Sequence, residues 1–283
     1  SQSIDPSGFL WLNVGKVRNR GIEFSVNVNA VNTKNFSWNT GLNLATNKNV
    51  ILDLKGPAQY GVNADSTKYT QLDGPGTTGS RLQIMAVGGP LGQFYSFQYA
   101  GKDASGNSLF LKRDQTTTTN PTQVTDYFPL GSPHAKLMFG WNNNFRYKNF
   151  DLNFFVRGVL GNKIFNATRA DLSYVVTGGQ TNISPYAADD KRTDARNNNF
   201  SSRYVEDGSY LRFDNATLGY RFNIKNDYIS MLRFYATVNN LFVITKYKGI
   251  DPEINQGGAS LGVDYNSFYP KTRTILFGVS VGF

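Results

Sequence analysis

The chain has 283 residues, 40% hydrophobic and 14% aromatic, with only 17% charged and a formal net charge of +9. It has no cysteine and one histidine, His134, which excludes disulfides, thiol nucleophiles and any multi-histidine metal centre. Lys and Arg stand singly, as at Lys136, Arg146, Arg157, Arg212 and Arg233, rather than in one patch, so no nucleic-acid partner is expected.

The opening Ser1-Gln2-Ser3-Ile4-Asp5-Pro6 lacks the basic start and apolar core of a signal peptide, so a mature, processed or partial chain is expected. From there the dominant period is two, the signature of strands. Across 21–30, Ile22, Phe24, Val26, Val28 and Ala30 share one face, and Glu23, Ser25, Asn27 and Asn29 share the other. After a short Asn32-Thr33-Lys34-Asn35 turn, Phe36, Trp38, Thr40, Leu42 and Leu44 resume the alternation. Weaker strands are predicted over 94–100 and 108–113. A hairpin follows, in which 135–147 and 150–157 flank Lys148-Asn149. Three more strands are predicted over 210–222, 231–244 and 272–283. In 210–222 the apolar phase slips between Phe213 and Ala216, which a β-bulge near Asp214 and Asn215 would repair.

About nine strands of bilayer-crossing length result, joined by alternating short turns and long polar segments (45–93, 113–133, 161–209, 245–271), the grammar of outer-membrane barrels. The polar face is rich in Asn, Ser, Thr and Gly, suiting a wet lumen. Trp38, Tyr147, Tyr220 and Phe283 near strand ends suit aromatic girdles. The expected fold is therefore all-β: a transmembrane antiparallel β-barrel segment in one continuous curved sheet. Ile22, Phe24, Leu137, Phe139, Leu152 and Val279 are expected to face lipid, and Asn27, Asn142 and Asn153 the lumen. An odd strand number does not close a bacterial barrel alone, so the first and last strands are expected to stay unpaired with each other. Phe283, ending an amphipathic strand, is the candidate assembly signal.

Several blocks carry a more specific likeness. Asn13 to Glu23, which includes Gly15, Asn19 and Gly21, resembles the "NxGxxxNxGxE" block of SusC/RagA-type TonB-dependent transporters, as do Phe36-Ser37-Trp38 and Asn47-Lys48-Asn49-Val50. Asp207-Gly208-Ser209-Tyr210-Leu211-Arg212, Leu218-Gly219-Tyr220 and Asn239-Asn240-Leu241-Phe242 resemble later blocks. So do Thr245 to Glu253, which reads TKYKGIDPE, and Tyr269-Pro270. One departure stands out: 113–131 carries Gln115, four threonines and Asn120-Pro121 where the family has an Asp-rich "NGDG" stretch. The resemblance implies that 1–283 is the C-terminal part of a receptor barrel of about 22 strands. The plug domain and N-terminal strands would then lie outside this chain. It further implies an outer-membrane, multi-pass location and active import of oligosaccharides or peptides. The implied partners are TonB, through the missing N-terminal part, a SusD-like surface lipoprotein acting as a lid, and outer-membrane lipid. A passive porin-like channel and a soluble carbohydrate-binding or adhesion β domain are the alternatives.

No catalytic, cofactor or metal constellation is found, so no enzyme is expected. His134 has no nucleophile partner. Gly88-Gly89-Pro90 reads as a turn, Asp189-Asp190 before Lys191-Arg192 as a self-neutralising patch, and Asp251-Pro252-Glu253 as a turn former. Tyr186, Arg192, Arg196, Tyr204 and Tyr265 are the candidate ligand or partner contacts, as loop aromatics and arginines on which sugar or peptide could stack.

Overall fold

The structure, a computed structural model, describes residues 14–56, 64–71, 80–173, 185, 200–224, 228–254, 261–265 and 269–283. Two long strands open it, β1 (Lys16–Asn32) and β2 (Phe36–Asp53). Seven short ones follow: β3 (Ser66–Gln71), β4 (Arg81–Ala86), β5 (Gln93–Phe97), β6 (Tyr99–Lys102), β7 (Ser108–Leu111), β8 (Thr117–Thr118) and β9 (Tyr127–Gly131). Then come the hairpin β10 (Leu137–Tyr147) and β11 (Phe150–Leu160), and the short β12 (Lys163–Asn166) running into the helix α1 (Ala167–Leu172). β13 (Val205–Asp207), β14 (Tyr210–Phe222), β15 (Met231–Thr245), β16 (Val263–Asp264) and β17 (Thr274–Gly282) complete the order.

Seven strands form one long antiparallel sheet in the order β1-β2-β10-β11-β14-β15-β17. Its hairpin β10–β11 turns through Lys148 at a φ of +50°. The expected bulge is present: Phe213 pairs with Val156 and Asn215 with Phe155, leaving Asp214 as the extra residue. Beyond it the apolar phase is restored, since Phe213, Ala216, Leu218 and Tyr220 lie opposite Val156, Phe154, Leu152 and Phe150. One face is therefore continuously apolar across all seven strands. Rings run over it in contact: Trp38 on Phe145 at 5.5 Å, Phe145 on Phe154 at 5.9 Å, Phe154 on Phe213 at 5.3 Å, and Phe213 on Phe242 at 5.4 Å. Each such pair contributes about 0.5–1.5 kcal/mol beyond its buried area. A second row, Phe150–Tyr220–Phe222–Phe234, lies nearer the hairpin turns.

In the midst of this face sit two paired polar side chains, Thr40 and Asn143; Asn143 is fully buried and its Oδ1 accepts from Trp38 Nε1 at 3.0 Å, while Thr40 Oγ1 accepts from Trp141 Nε1 at 2.9 Å. Opposite, Asn27, Asn142 and Asn153 share the polar face, which borders no lumen in this open sheet, with Ser25 Oγ donating to Asn43 Oδ1 at 2.6 Å. Ile22, Phe24, Leu152 and Val279 are exposed on the apolar face, and Leu137 and Phe139 half-buried there.

The remaining strands form three small sheets, β3-β4-β5-β9, β6-β7-β8 and β13-β12-β16. Here lies the hydrophobic core: Leu82, Phe94, Phe165, Ala167, Ala170, Phe200, Tyr204 and Val263, with a second cluster of Phe97, Phe110 and Tyr127. Gln83, a fully buried amide beside it, is bonded at both ends. Gln83 Nε2 donates to Gly92 O and Leu261 O at 2.9 Å each, while its Oε1 accepts from Thr70 at 2.6 Å. The Gly88-Gly89 turn is pinned to β2, with Gly88 N on Ile51 O at 2.8 Å and Ile51 N on Gly89 O at 2.9 Å.

These findings correct several expectations. The strands predicted over 94–100 and 108–113 belong to small sheets, so the long sheet has seven strands rather than about nine. The long polar segments also hold short strands of their own. More importantly, the sheets are open: β1 and β17 are edges, unpaired with each other, and no closed barrel forms among the described residues. The reading as a transmembrane β-barrel segment is therefore set aside, and with it the multi-pass outer-membrane location and the contact with outer-membrane lipid. Unpaired edge backbone costs several kcal/mol per group in hydrocarbon, so an open sheet is not by itself a spanning structure. No helix among the described residues is long and apolar enough to cross a membrane. Among the described residues the open sheet encloses no pore, so the active-importer reading of this chain is set aside with the barrel.

Candidate binding site

The parallel pairing of β12 with β16 sets Asn166 beside Asp264, and the antiparallel pairing of β12 with β13 sets Ile164 beside Glu206. Because side chains alternate along a strand, Ile164 and Asn166 share a face, and this brings Glu206 and Asp264 to one place. Asn166 then caps α1, its Oδ1 accepting from Arg169 N at 2.8 Å. Glu206 gathers three segments: Oε1 accepts from Arg169 Nη1 at 2.8 Å and from Asn166 Nδ2 at 3.4 Å, and Oε2 from Lys248 N at 2.8 Å. Tyr247 donates its hydroxyl to Asp264 Oδ2, and Thr168 Oγ1 lies 3.5 Å from Asp264 Oδ1.

Asp264 is only 4% exposed. Burial pushes its carboxyl above the usual aspartate range and nearby Glu206 adds to this, against the opposing hydrogen bonds from Tyr247 and Thr168. Burial and the bond to Asp264 likewise raise the Tyr247 phenol. Over this floor opens a cavity of about 300 Å³, walled by Thr168, Arg169, Leu172, Lys248, Ile250 and Asp264. Its charged walls are Arg169, Lys248 and Asp264, and with Glu206, bonded to Arg169 from outside the lining, the acids and bases are equal in number.

A separate ionic cluster fastens the segment after β15 to the long sheet. Arg212, 1% exposed, donates to Asp251 Oδ1 at 2.6 Å and lies 3.4 Å from Glu253. Glu253 takes both Nη atoms of Arg157 at 2.9 and 2.8 Å and Lys271 Nζ at 2.5 Å. Arg157 also reaches Asp214, the bulge residue, at 3.2 Å. Burial pushes the Glu253 carboxyl up, but the bonds from Arg157 and Lys271 outweigh it and hold its pKa below the ordinary glutamate range. Asp251 Oδ1 also accepts from Glu253 N at 2.8 Å. The DPE turn is thus a carboxylate clamp on two sheet arginines, a larger role than shaping the chain after Gly249.

Of the sequence candidates, Tyr204 is fully buried, its ring 6.3 Å from that of Phe165, and it offers no face to a ligand. Tyr265 is half-buried against the same core and adjoins Asp264. Tyr186, Arg192 and Arg196, like Asp189 and Asp190, lie outside the described residues. Phe283 is 93% exposed beyond β17. His134 Nε2 donates to Leu91 O at 2.8 Å, a structural bond. The divergent 113–131 segment holds Asp114, whose carboxyl is lowered to about 2 by hydrogen bonds from the Thr116 side chain and backbone. Sequence reasoning missed Asn166, Arg169, Glu206 and Asp264. An N-cap asparagine ahead of Ala-Thr-Arg was available as a signal for the first two.

No protein-family model matches the chain. It is 30% identical to the TonB-dependent receptor SusC of Bacteroides thetaiotaomicron over 287 residues, covering 96% of this chain and 27% of that protein. It is 28% identical to the TonB-dependent receptor P3 of Formosa agariphila over 305 residues, covering 96% and 29%. Among solved structures it superposes on the RagAB peptide transporter with a TM-score of 0.78 at 22% identity, covering 98% of this chain and 31% of that one. The chain spans under a third of the length of the relatives it matches. SusC/RagA-type receptors associate with SusD-like partners and TonB, and the homology is to a non-catalytic class of transport receptors. Over part of their length, then, this chain is homologous to TonB-dependent receptors of the SusC/RagA type.

Proposed function

We propose that this chain is the C-terminal part of a SusC/RagA-type TonB-dependent receptor and that it serves there as a carbohydrate-binding β unit. The cavity beside α1 carries this reading. With Glu206 counted its charges cancel, which disfavours an ionic ligand. Asp264 keeps acceptor capacity for hydroxyl donors, Arg169 and Lys248 supply donors, and Leu172 and Ile250 give an apolar rim for sugar C–H groups. The placement in the receptor is supported by the order of the resembling blocks. A SusD-like lipoprotein would share the ligand, and TonB would engage a part of the receptor outside these residues.

Calorimetric titration of the chain with neutral oligosaccharides and with peptides of similar size tests the reading. Saturable heat is expected from the saccharides and its loss in Asp264→Asn and Thr168→Val. Binding of peptides alone, or saccharide binding untouched by both substitutions, would overturn it.

A further inference from the structure

On the polar face of the long sheet, close to the hairpin turns, lies a groove of about 420 Å³. Three arginines and one carboxylate dominate it. Register places Arg221 directly opposite Arg233, and Arg146 directly opposite Asp151. Asp151 is already engaged by Arg233, whose Nε donates at 2.8 Å to one carboxylate oxygen while Nη2 binds the other. This bond crosses β14, and it is possible because Gly219 stands between: a Cβ there would lie 2.4 Å from Arg233 Nη2. Arg146 and Arg221 are exposed at the rim of this pair. One carboxylate against three guanidinium groups leaves two positive charges in excess. Like charges directly opposite across a strand pair are destabilising, so Arg221 and Arg233 are held in an arrangement that an anion would relieve.

The rest of the lining identifies the anion's class. Asn39, Asn144 and Asn153 offer amide donors and acceptors together. A sulfate or a phosphodiester only accepts hydrogen bonds, whereas a peptide backbone both donates and accepts. Guanidinium groups in turn match side-chain carboxylates in a two-pronged geometry. From the unbalanced arginines and the surrounding carboxamides we infer that this groove binds an extended acidic segment of polypeptide, its carboxylates on Arg146 and Arg221. This surface shares no residue with the cavity beside α1, so its test stands apart from the carbohydrate reading.

The experiment follows fluorescence anisotropy of labelled hexaglutamate with the full chain, beside hexaglutamine and a thymidine hexanucleotide. Hexaglutamate is expected to bind saturably, weakening as salt rises, while hexaglutamine does not. Affinity should fall at least tenfold in Arg146→Ser/Arg221→Ser. Asn39→Asp, which leaves every arginine in place and adds a fixed carboxylate to the groove, should weaken binding as well and guards against misfolding of the serine variant. Equal binding of hexaglutamine, or of the hexanucleotide, would overturn the inference. So would hexaglutamate affinity unchanged in the folded variants.

Discussion

Replacing Asp251 by Asn removes the nearest negative charge from Arg212. That guanidinium is 1% exposed and its partner 4%, so water does not replace the lost carboxylate. The remaining acid, Glu253, is 3.4 Å from Arg212 and shared with Arg157 and Lys271. Before the change, Arg157, Arg212 and Lys271 balance Asp214, Asp251 and Glu253; afterwards one positive charge is uncompensated. Breaking a buried pair from one side costs about 3–5 kcal/mol. With a urea dependence of roughly 2–3 kcal/mol per molar, the unfolding midpoint should fall by about 1–2.5 M. Urea titration followed by tryptophan fluorescence reads this directly, since Trp38 and Trp141 lie on the same sheet. Arg212→Met combined with Asp251→Leu removes both charges and should recover most of the loss, because apolar replacement of a buried pair is often neutral or better. A single variant within about 0.5 kcal/mol of the parent would refute the clamp as an energetic element.

Three further outcomes are expected. Gly158→Ala places its Cβ 2.3 Å from Phe139 Cε1 and 2.9 Å from Tyr210 O, so overpacking should cost about 1–3 kcal/mol by thermal melting. Gly219→Ala meets only the flexible end of Arg233, so its cost should be limited to the ion pair, about 1 kcal/mol or less, and vanish in an Asp151→Asn background. With pH, Glu253 and Asp264 act in opposite senses. The lowered pKa of Glu253 gives stability above the ordinary glutamate value that is lost as pH falls through its folded value. The raised pKa of Asp264 gives stability present at low pH that is lost as pH rises through its folded value. Melting Asp264→Asn at pH 7 and pH 5 should therefore show less gain on mild acidification than the parent shows. An equal gain would mean Asp264 carries no such linkage.

The long strands were legible because alternation leaves a trace in every residue. Even the bulge at Asp214 could be located, since Leu211 and Phe213 are out of phase with Ala216, Leu218 and Tyr220. Closure was not legible. Alternation defines two faces of a sheet and says nothing of whether its edges meet, so an open seven-stranded sheet reads like part of a closed barrel. Short strands such as β4 and β12 escaped notice because they are too brief to display a period. Tyr204 resembled an exposed loop aromatic, yet Phe165, Phe200 and Val263, distant in sequence, bury it. Asp264 had no local signal, as its place depends on a two-residue parallel pairing with β12.

The strand order of the long sheet also sets the sequence of events by which it is built. β1–β2, β10–β11 and β14–β15 are neighbours in chain and in space, so each hairpin can form on its own within microseconds. Joining β2 to β10, or β11 to β14, instead requires closing the segments that carry the small sheets. Closure entropy grows only slowly with length, about 0.6 kcal/mol for each doubling, so the size of these segments is a minor obstacle. What delays the joins is that the intervening sheets must first collapse into a shape that lets the hairpins meet. Early in folding this protein should therefore be three independent ribbons, and hydrogen-exchange protection should reach the hairpin interiors before it reaches the β2–β10 and β11–β14 seams.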